Sequence, residues 1–223
     1  IIKLSAKVID AVNLFIHKIY IMSGTTCLVL IVGGPGSGKS TVSNIIQNSV
    51  KNSLHLKTGQ IMRNVLMKCE NITSQDKEEV TSAMQHGGLV KDDIVSELLN
   101  KEISNIIASK LATIFILDGF PRTAAQLTAL MAKSQYKIVV TFILNAPHAI
   151  LEKRCKMRNL RTDRVDDRKG PVEHRISDFT QHLDEIRIAL TNLKVSIIDI
   201  DTCDPKENMT KKIEEYLKTF KFK

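Results

Sequence analysis

Residues 27–41 read CLVLIVGGPGSGKST, and this stretch determines the fold that the sequence predicts. Its first six residues form a continuous apolar run rich in β-branched side chains, which is typical of a strand buried on both faces. Glycines end the run, and a segment with helical periodicity follows at once. The spacing matches G-x-x-x-x-G-K-[ST], a phosphate-binding loop between a buried strand and a helix.

The residue types of this loop suit phosphate chemistry. Its glycines let successive backbone N–H groups face a phosphate, and the helix start adds the positive end of its dipole. A glycine-rich turn that binds nothing is the alternative, but such a turn has no need of a Lys after its last glycine. The loop therefore predicts a protein that uses ATP or GTP together with Mg²⁺. We expect the donor phosphates to contact Gly34, Pro35, Gly36, Ser37, Gly38, Lys39, Ser40 and Thr41.

Further apolar runs indicate how the rest of the chain is organised. Residues 113–117, 138–144 and 195–200 resemble the first run, and each precedes a segment with helical periodicity. This alternation predicts an α/β protein in which a central parallel sheet lies between two layers of helices. Residues 59–109 are mostly helical and too long for one crossover connection, so they predict a subdomain. Residues 205–220 predict a final amphipathic helix that packs on the sheet.

The N-terminal segment has a different pattern. Apolar residues recur at helical spacing over residues 1–21, and charged residues interrupt the apolar run, which argues against a membrane span. An interfacial or targeting helix and a packed appendage are both open interpretations. We therefore divide the chain into an amphipathic extension over residues 1–22 and one domain over residues 23–223.

Composition narrows the class of partner. The 223 residues are 43% hydrophobic, enough for a sizeable core, and carry a formal net charge of +8, which favours anionic partners. Only 4% are aromatic and none is Trp, which argues against a stacking-type binder of single-stranded nucleic acid. The four Cys are scattered and predict neither a zinc site nor a disulfide framework, so we expect a reducing, cytoplasmic location.

A second motif, FILDGFPRT at residues 115–123, indicates which kind of molecule accepts the phosphate. It predicts a strand end that brings Asp118 and Arg122 to the sheet edge where the loop lies. Asp118 is interpreted as a ligand of Mg²⁺ through water, and a buried capping Asp is the alternative. The motif resembles the DG(F/Y)PR signature of the adenylate kinase family of nucleoside monophosphate kinases. The resemblance covers roughly residues 26–220.

The resemblance implies an acceptor site. Residues 58–63, TGQIMR, resemble the family's acceptor-site segment, in which Arg63 and Arg122 would clamp the phosphate of the monophosphate. Gln126 matches the Gln that reads adenine in adenylate kinases, and Thr58 also matches their pattern, so both favour AMP. The implied acceptor residues are Thr58, Gly59, Arg63, Val90, Gly119, Arg122, Gln126, Arg164 and Arg175. The acceptor-binding insertion would span residues 58–91.

A basic segment resembles the family's lid. Its arginines and acids, at positions 154, 158, 164, 166, 167 and 175, have the spacing of a short lid without structural zinc, centred on residues 159–170. A solvated charged face is the alternative interpretation. The resemblance implies that Arg154 binds ATP and that Asp166 and Asp167 orient the lid arginines. The implied catalytic residues are Lys39, Arg122, Arg158, Arg164 and Arg175, since guanidinium groups stabilise charge on a moving phosphoryl group.

The implied reaction is MgATP + AMP ⇌ 2 ADP, by in-line transfer in a monomer that contacts neither nucleic acid nor a membrane interior. A UMP/CMP or broad-specificity kinase is the first alternative, and a nucleic-acid-dependent ATPase is the second. Several positions depart from the family pattern. Lys57 replaces a small residue and Gln60 replaces an Asp near the acceptor site, and residues 202–205 lack the Gly that normally lies against the donor adenine. The remaining departures are Ser40, Lys91 and Asp163.

Overall fold

Five parallel strands form the centre of the fold, in the order β2-β3-β1-β4-β5. The structure is a computed structural model that describes residues 25–68, 73–86, 88–109, 111–132, 135–162 and 171–219. The strands are β1 (Thr26–Gly33), β2 (Ser53–Lys57), β3 (Ile114–Asp118), β4 (Tyr136–Asn145) and β5 (Ser196–Asp201). The predicted α/β class with an all-parallel sheet is confirmed.

Strand β2 is the element that the sequence analysis missed, since it lies just before the long helical stretch and was not identified as a strand. The strand lies at the sheet edge and pairs only with β3. Its five residues alternate between polar and apolar, and only Leu56 among them is fully buried. Such a half-buried edge strand lacks the continuous apolar run that identifies the three inner strands, β1, β3 and β4.

The helices account for the rest of the described chain. The described residues within 59–109 form consecutive helices, as predicted, and the last helix agrees with the amphipathic segment expected over residues 205–220. The helices are α1 (Lys39–Ser49), α2 (Thr58–Lys68), α3 (Ser74–His86), α4 (Asp92–Ala108), α5 (Ala124–Met131), α6 (His148–Thr162), α7 (Pro171–Asn192) and α8 (Lys206–Thr219).

Alternate residues of β1 build the hydrophobic cores of the two faces. Leu28 and Leu30 belong to the core beneath α4, α5 and α7, whereas Val29 and Ile31 belong to the core beneath α1 and α8. Side chains of a strand point to opposite faces in turn, so a wholly apolar strand can serve both cores. Ile213 of α8 is fully buried in the second core. The three-layer arrangement predicted from the strand pattern is therefore present.

The sheet also brings three chain segments to one edge. The Cα of Asp118 lies opposite that of Ile31 in β1 and that of Lys57 in β2. The carboxyl ends of all three strands therefore meet where the glycine-rich loop leaves β1. Two predicted parts, the extension over residues 1–22 and the centre of the lid with Arg164, Asp166 and Asp167, lie outside the described residues. Within the described ranges, no helix is both long and apolar enough to cross a membrane.

Candidate active site

A cavity of about 470 Å³ opens at the carboxyl edge of β1, β2 and β3. Most of the predicted site residues line it, although they come from segments more than a hundred residues apart. The lining residues are Pro35, Gly36, Gly38, Lys39, Ser40, Thr41, Lys57, Thr58, Gly59, Gln60, Met62, Arg63, Ala83, Met84, Gly88, Val90, Val95, Asp118, Gly119, Arg122, Gln126, Arg154, Arg158 and Arg175. Gly34 and Ser37 belong to the same loop but do not line the cavity.

The glycine-rich loop has the backbone that its sequence predicts. Gly36 and Gly38 have φ values of 75° and 87°, which side chains of L-residues rarely allow. A Cβ atom at Gly36 would lie only 2.5 Å from the carbonyl oxygen of Leu151 in α6. Position 36 therefore requires glycine both for its conformation and for the close approach of α6.

Lys39 is held against the loop by the loop's own carbonyl groups. Its Nζ atom donates to the carbonyl oxygens of Gly33 at 2.9 Å and Gly34 at 2.8 Å. Burial lowers the pKa of Lys39, the charge of Asp118 opposes this, and the guanidinium groups of Arg122, Arg175 and Arg158 add to it, so that the pKa is about 8. The charged form of Lys39 is therefore only moderately favoured in the unliganded protein, and a bound polyanion would favour it strongly.

Asp118 lies at the end of β3 and is held by two side chains. Its Oδ2 atom accepts a hydrogen bond from Ser40 Oγ at 2.7 Å and lies 2.9 Å from His55 Nε2. Burial alone would raise the pKa of Asp118, but the contact with His55, the charge of Lys39 and the bond from Ser40 together hold it below the ordinary value. Asp118 is therefore ionised at neutral pH.

His55 is a functional candidate that the sequence analysis did not identify. Its side chain is only 5% exposed, and its Nδ1 atom lies 3.2 Å from Asn44 Oδ1 of α1. The backbone N–H of His55 donates to Gln47 Oε1 at 3.2 Å. Strand β2 thus places the imidazole ring of His55 between Asn44 of α1 and the carboxylate of Asp118. The signal in the sequence was the alternation in SLHLK at residues 53–57.

The donor set beside the loop suits a magnesium ion. The Ser40 hydroxyl and the Asp118 carboxylate are hard oxygen ligands of the kind that Mg²⁺ prefers. Because Oδ2 of Asp118 is already engaged by Ser40 and His55, a contact through water agrees with the arrangement better than a cage of protein ligands. Mg²⁺ usually keeps several waters and shares its remaining ligands with substrate phosphates.

Arg63 and Arg122 line the same cavity as the phosphate loop. Arg63 donates from Nη2 to Gln60 Oε1 at 3.0 Å, and its guanidinium lies over the first turn of α2 beside Gly59. Arg122 donates from Nε to the carbonyl oxygen of Gly119 at 3.4 Å. Gln60, which replaces an acidic residue of the family pattern, thus positions Arg63 without neutralising it.

The far end of the cavity combines apolar side chains with two polar groups. Met62, Met84 and Val90 line it, and Thr58 Oγ1 is buried without a hydrogen-bond partner among the described residues. An orphaned buried hydroxyl is costly unless a ligand or water completes it. Thr58 is therefore placed to contact whatever occupies this end.

Gln126 is 1% exposed and lies beside this end, but part of its amide is already in use. Its Oε1 atom accepts a hydrogen bond from the backbone N–H of Arg122 at 2.8 Å. The bidentate pairing with a base that the sequence analysis expected would require Oε1 to accept a second hydrogen bond. The amide therefore has two functions, one at the start of α5 and one at the cavity.

The donor side is organised by α6 and α7, which flank residues 163–170. Arg154 donates from Nη2 to the carbonyl oxygen of Thr202 at 2.6 Å and from Nη1 to Thr202 Oγ1 at 3.1 Å. Thr202 in turn follows β5 and is buried. Arg158 and Arg175 also line the cavity. The predicted lid arginines that the structure describes thus face the phosphate loop.

Comparisons with known proteins agree with this geometry. A family model described as adenylate kinase matches residues 31–221. The GTP:AMP phosphotransferases of Drosophila melanogaster mitochondria and Plasmodium falciparum are 35% and 33% identical over 58% and 59% of this chain. The chain spans only about half of these two relatives, 55% and 54% of their lengths.

Two further relatives differ in the specificity that their names state. An adenylate kinase of Pseudarthrobacter chlorophenolicus is 27% identical over 85% of this chain and 96% of its own length. The human UMP-CMP kinase is 29% identical over 69% of this chain and 78% of its own length. The relatives therefore share the transfer of a phosphoryl group to a nucleoside monophosphate and differ in donor and acceptor base.

Proposed function

The chain belongs to the adenylate kinase family of nucleoside monophosphate kinases, and on that premise we propose that it transfers the γ-phosphoryl group of MgATP to AMP to form two ADP. The observation that carries the proposal is the cavity that the phosphate loop shares with Arg63 and Arg122. One phosphate site alone would suit an ATPase, whereas a second cluster of cations in the same cavity suits transfer between nucleotides.

The charge of the cavity supports binding of two phosphorylated ligands. Among its described lining residues are seven cationic side chains and one carboxylate, that of Asp118. The cations are Lys39, Lys57, Arg63, Arg122, Arg154, Arg158 and Arg175. Guanidinium groups keep their charge and bind phosphate oxygens in pairs, so they stabilise negative charge on a transferring phosphoryl group.

The acceptor base is proposed to be adenine. Thr58 and the amide of Gln126 supply polar groups at the apolar end of the cavity, and both residue types match the adenylate kinase pattern. A buried polar group that pairs with one base is left unsatisfied by another, which disfavours the wrong acceptor. UMP or CMP remains the alternative acceptor, since a UMP-CMP kinase is among the relatives.

GTP is the second candidate donor. Two of the relatives are GTP:AMP phosphotransferases, and the loop after β5, which holds Arg154 through Thr202, lacks the glycine expected against an adenine donor. The phosphate loop and Arg154 can bind either triphosphate, so they do not distinguish ATP from GTP. ATP is the proposed donor because the family model that matches the chain is that of adenylate kinase.

The proposed mechanism relies on positioning and electrostatics. Lys39 would release the carbonyl groups of Gly33 and Gly34 to bind the donor phosphates, while Arg63 and Arg122 hold the acceptor phosphate in line. Mg²⁺, held through water by Asp118 and by Ser40, would neutralise donor phosphate charge. Closure of segment 58–91 and of loop 159–170, with Arg164, Asp166 and Asp167, would exclude water and so favour transfer over hydrolysis.

The test is a matrix of donors and acceptors. ATP and GTP are each combined with AMP, UMP, CMP, GMP or water alone, and nucleoside diphosphate formation is followed. We expect ATP with AMP to give the highest kcat/KM and Arg122→Ala to reduce it by at least about a hundredfold. Arg187→Ala is the matched control, because Arg187 pairs with Asp199 outside the cavity. Preference for a pyrimidine acceptor, or for GTP, would replace the proposed specificity.

A further inference from the structure

Lys57 is a cation of the cavity for which the family pattern has no equivalent. It is the last residue of β2, it is exposed, and it lines the cavity directly before Thr58 and Gly59. Its Cα lies opposite that of Asp118. Lys57 therefore lies at the edge where donor and acceptor phosphates must meet for in-line transfer.

The surroundings of Lys57 leave its charge uncompensated. Within the part of the chain that the structure describes, its ammonium makes neither a hydrogen bond nor an ion pair. Side chains alternate along a strand, so Lys57 lies on the same face of β2 as His55, which contacts Asp118. The Asp118 carboxylate is already engaged by His55 and Ser40.

The neighbouring helix start adds to the positive potential. Helix α2 begins at Thr58 and has no acidic residue in its first turn, because Gln60 occupies the position where the family pattern has Asp. The guanidinium of Arg63 lies over this turn, beside Gly59.

We propose that Lys57 is a further acceptor-binding residue, whose ammonium strengthens binding of the acceptor's phosphate dianion. The inference rests on the proposed function, since it takes the acceptor to be a nucleoside monophosphate. Because the Lys57 ammonium has no protein partner among the described residues, it can attract the phosphate of a bound acceptor without breaking a contact that stabilises the folded protein. Two unit charges about 4 Å apart in a solvated cleft attract enough to change affinity about fivefold, and salt weakens the attraction.

The test measures equilibrium binding of AMP and of adenosine by calorimetry at low and high salt. Lys57→Ser is expected to weaken AMP binding about fivefold at low salt, to leave adenosine binding unchanged and to reduce the salt dependence for AMP. Lys57→Arg should retain AMP affinity, because it preserves the charge. Lys51→Ser is the matched control, since exposed Lys51 precedes the same strand at its opposite end.

Two results would overturn the inference, and they are distinguishable. If the unchanged protein binds AMP and Lys57→Ser binds it equally well, Lys57 contributes nothing to the acceptor site while the proposed function stands. If Lys57→Ser weakens adenosine as much as AMP, the residue shapes the cavity and does not act through charge. Absence of AMP binding by the unchanged protein would contradict the proposed function itself, and the inference with it.

Discussion

Lys39 and Asp118 are the two charged residues whose surroundings change their ionisation most clearly at the site. Burial lowers the pKa of Lys39 to about 8, whereas His55, Lys39 and Ser40 together keep the pKa of Asp118 below its ordinary value. Asp118 therefore stays ionised at neutral and alkaline pH, whereas Lys39 can lose its proton in mildly alkaline solution. A ligand that carries several negative charges would raise the pKa of Lys39 again.

This difference predicts the pH dependence of the reaction. Because the ammonium form of Lys39 binds donor phosphates, kcat/KM for the donor should fall as pH rises through about 8, the pKa of Lys39 in the free protein. At saturating donor the bound phosphates keep Lys39 charged, so kcat should hold to higher pH. The two pH–rate profiles are the measurement. A kcat/KM that stays level to well above pH 9 would contradict the role given to Lys39.

His55 leads to a second prediction at the residue scale. Removing the ring in His55→Ala leaves Oδ2 of Asp118 with Ser40 as its remaining partner, so the carboxylate that would hold Mg²⁺ through water would be less well oriented. We expect kcat to fall about tenfold or more and the Mg²⁺ concentration for half-maximal activity to rise. A magnesium titration at fixed nucleotide measures this. Unchanged magnesium dependence alongside reduced stability would mean that His55 supports only the fold.

At the scale of elements, the number of apolar residues decided which strands could be predicted. Strands β1, β3 and β4 were identified from continuous apolar runs and β5 from the apolar residues of 195–200, and the observed bounds differ from the predicted ones by one or two residues. Strand β2 has only Leu54 and Leu56 as apolar residues and lies at the edge. Its pairing with β3 is a contact across the sheet, which local periodicity does not reveal.

Helix α8 allows a prediction about stability that is separate from catalysis. Ile213 is fully buried against the core that contains Ile200, so Ile213→Ala should lower the free energy of unfolding by about 2–5 kcal/mol. Exposed Lys211 is the control, and Lys211→Ala should change it by less than about 0.5 kcal/mol. Urea unfolding measures both. If Ile213→Ala unfolds like the unchanged protein, α8 does not contribute to the core.

At the scale of the whole molecule, the sequence predicts the residue types of the site better than their partners. The phosphate loop, Asp118 and Arg122 follow buried strands, so the parallel sheet brings them to one edge. The contacts of His55 with Asp118 and of Arg154 with Thr202 join residues 63 and 48 positions apart. Neither contact belongs to a local motif, so only the folded chain reveals them.

The domain boundaries, the monomeric state, the cytoplasmic location and the absence of a nucleic-acid partner stay predictions from the sequence. The described cavity is most relevant to the expected absence of a nucleic-acid partner. Its basic residues converge on a concave site of about 470 Å³ instead of spreading over an exposed face. A concave site of this kind suits small phosphorylated ligands better than a polymer backbone.

The most direct test of transfer between two nucleotides is the product stoichiometry with ATP and AMP as the only nucleotides. ATP, ADP, AMP and inorganic phosphate are quantified together as the reaction proceeds with Mg²⁺. The proposed binding of both nucleotides in one cavity predicts two ADP formed for each ATP and each AMP consumed, with no release of inorganic phosphate. One ADP and one phosphate for each ATP, with AMP unchanged, would show hydrolysis and contradict the account.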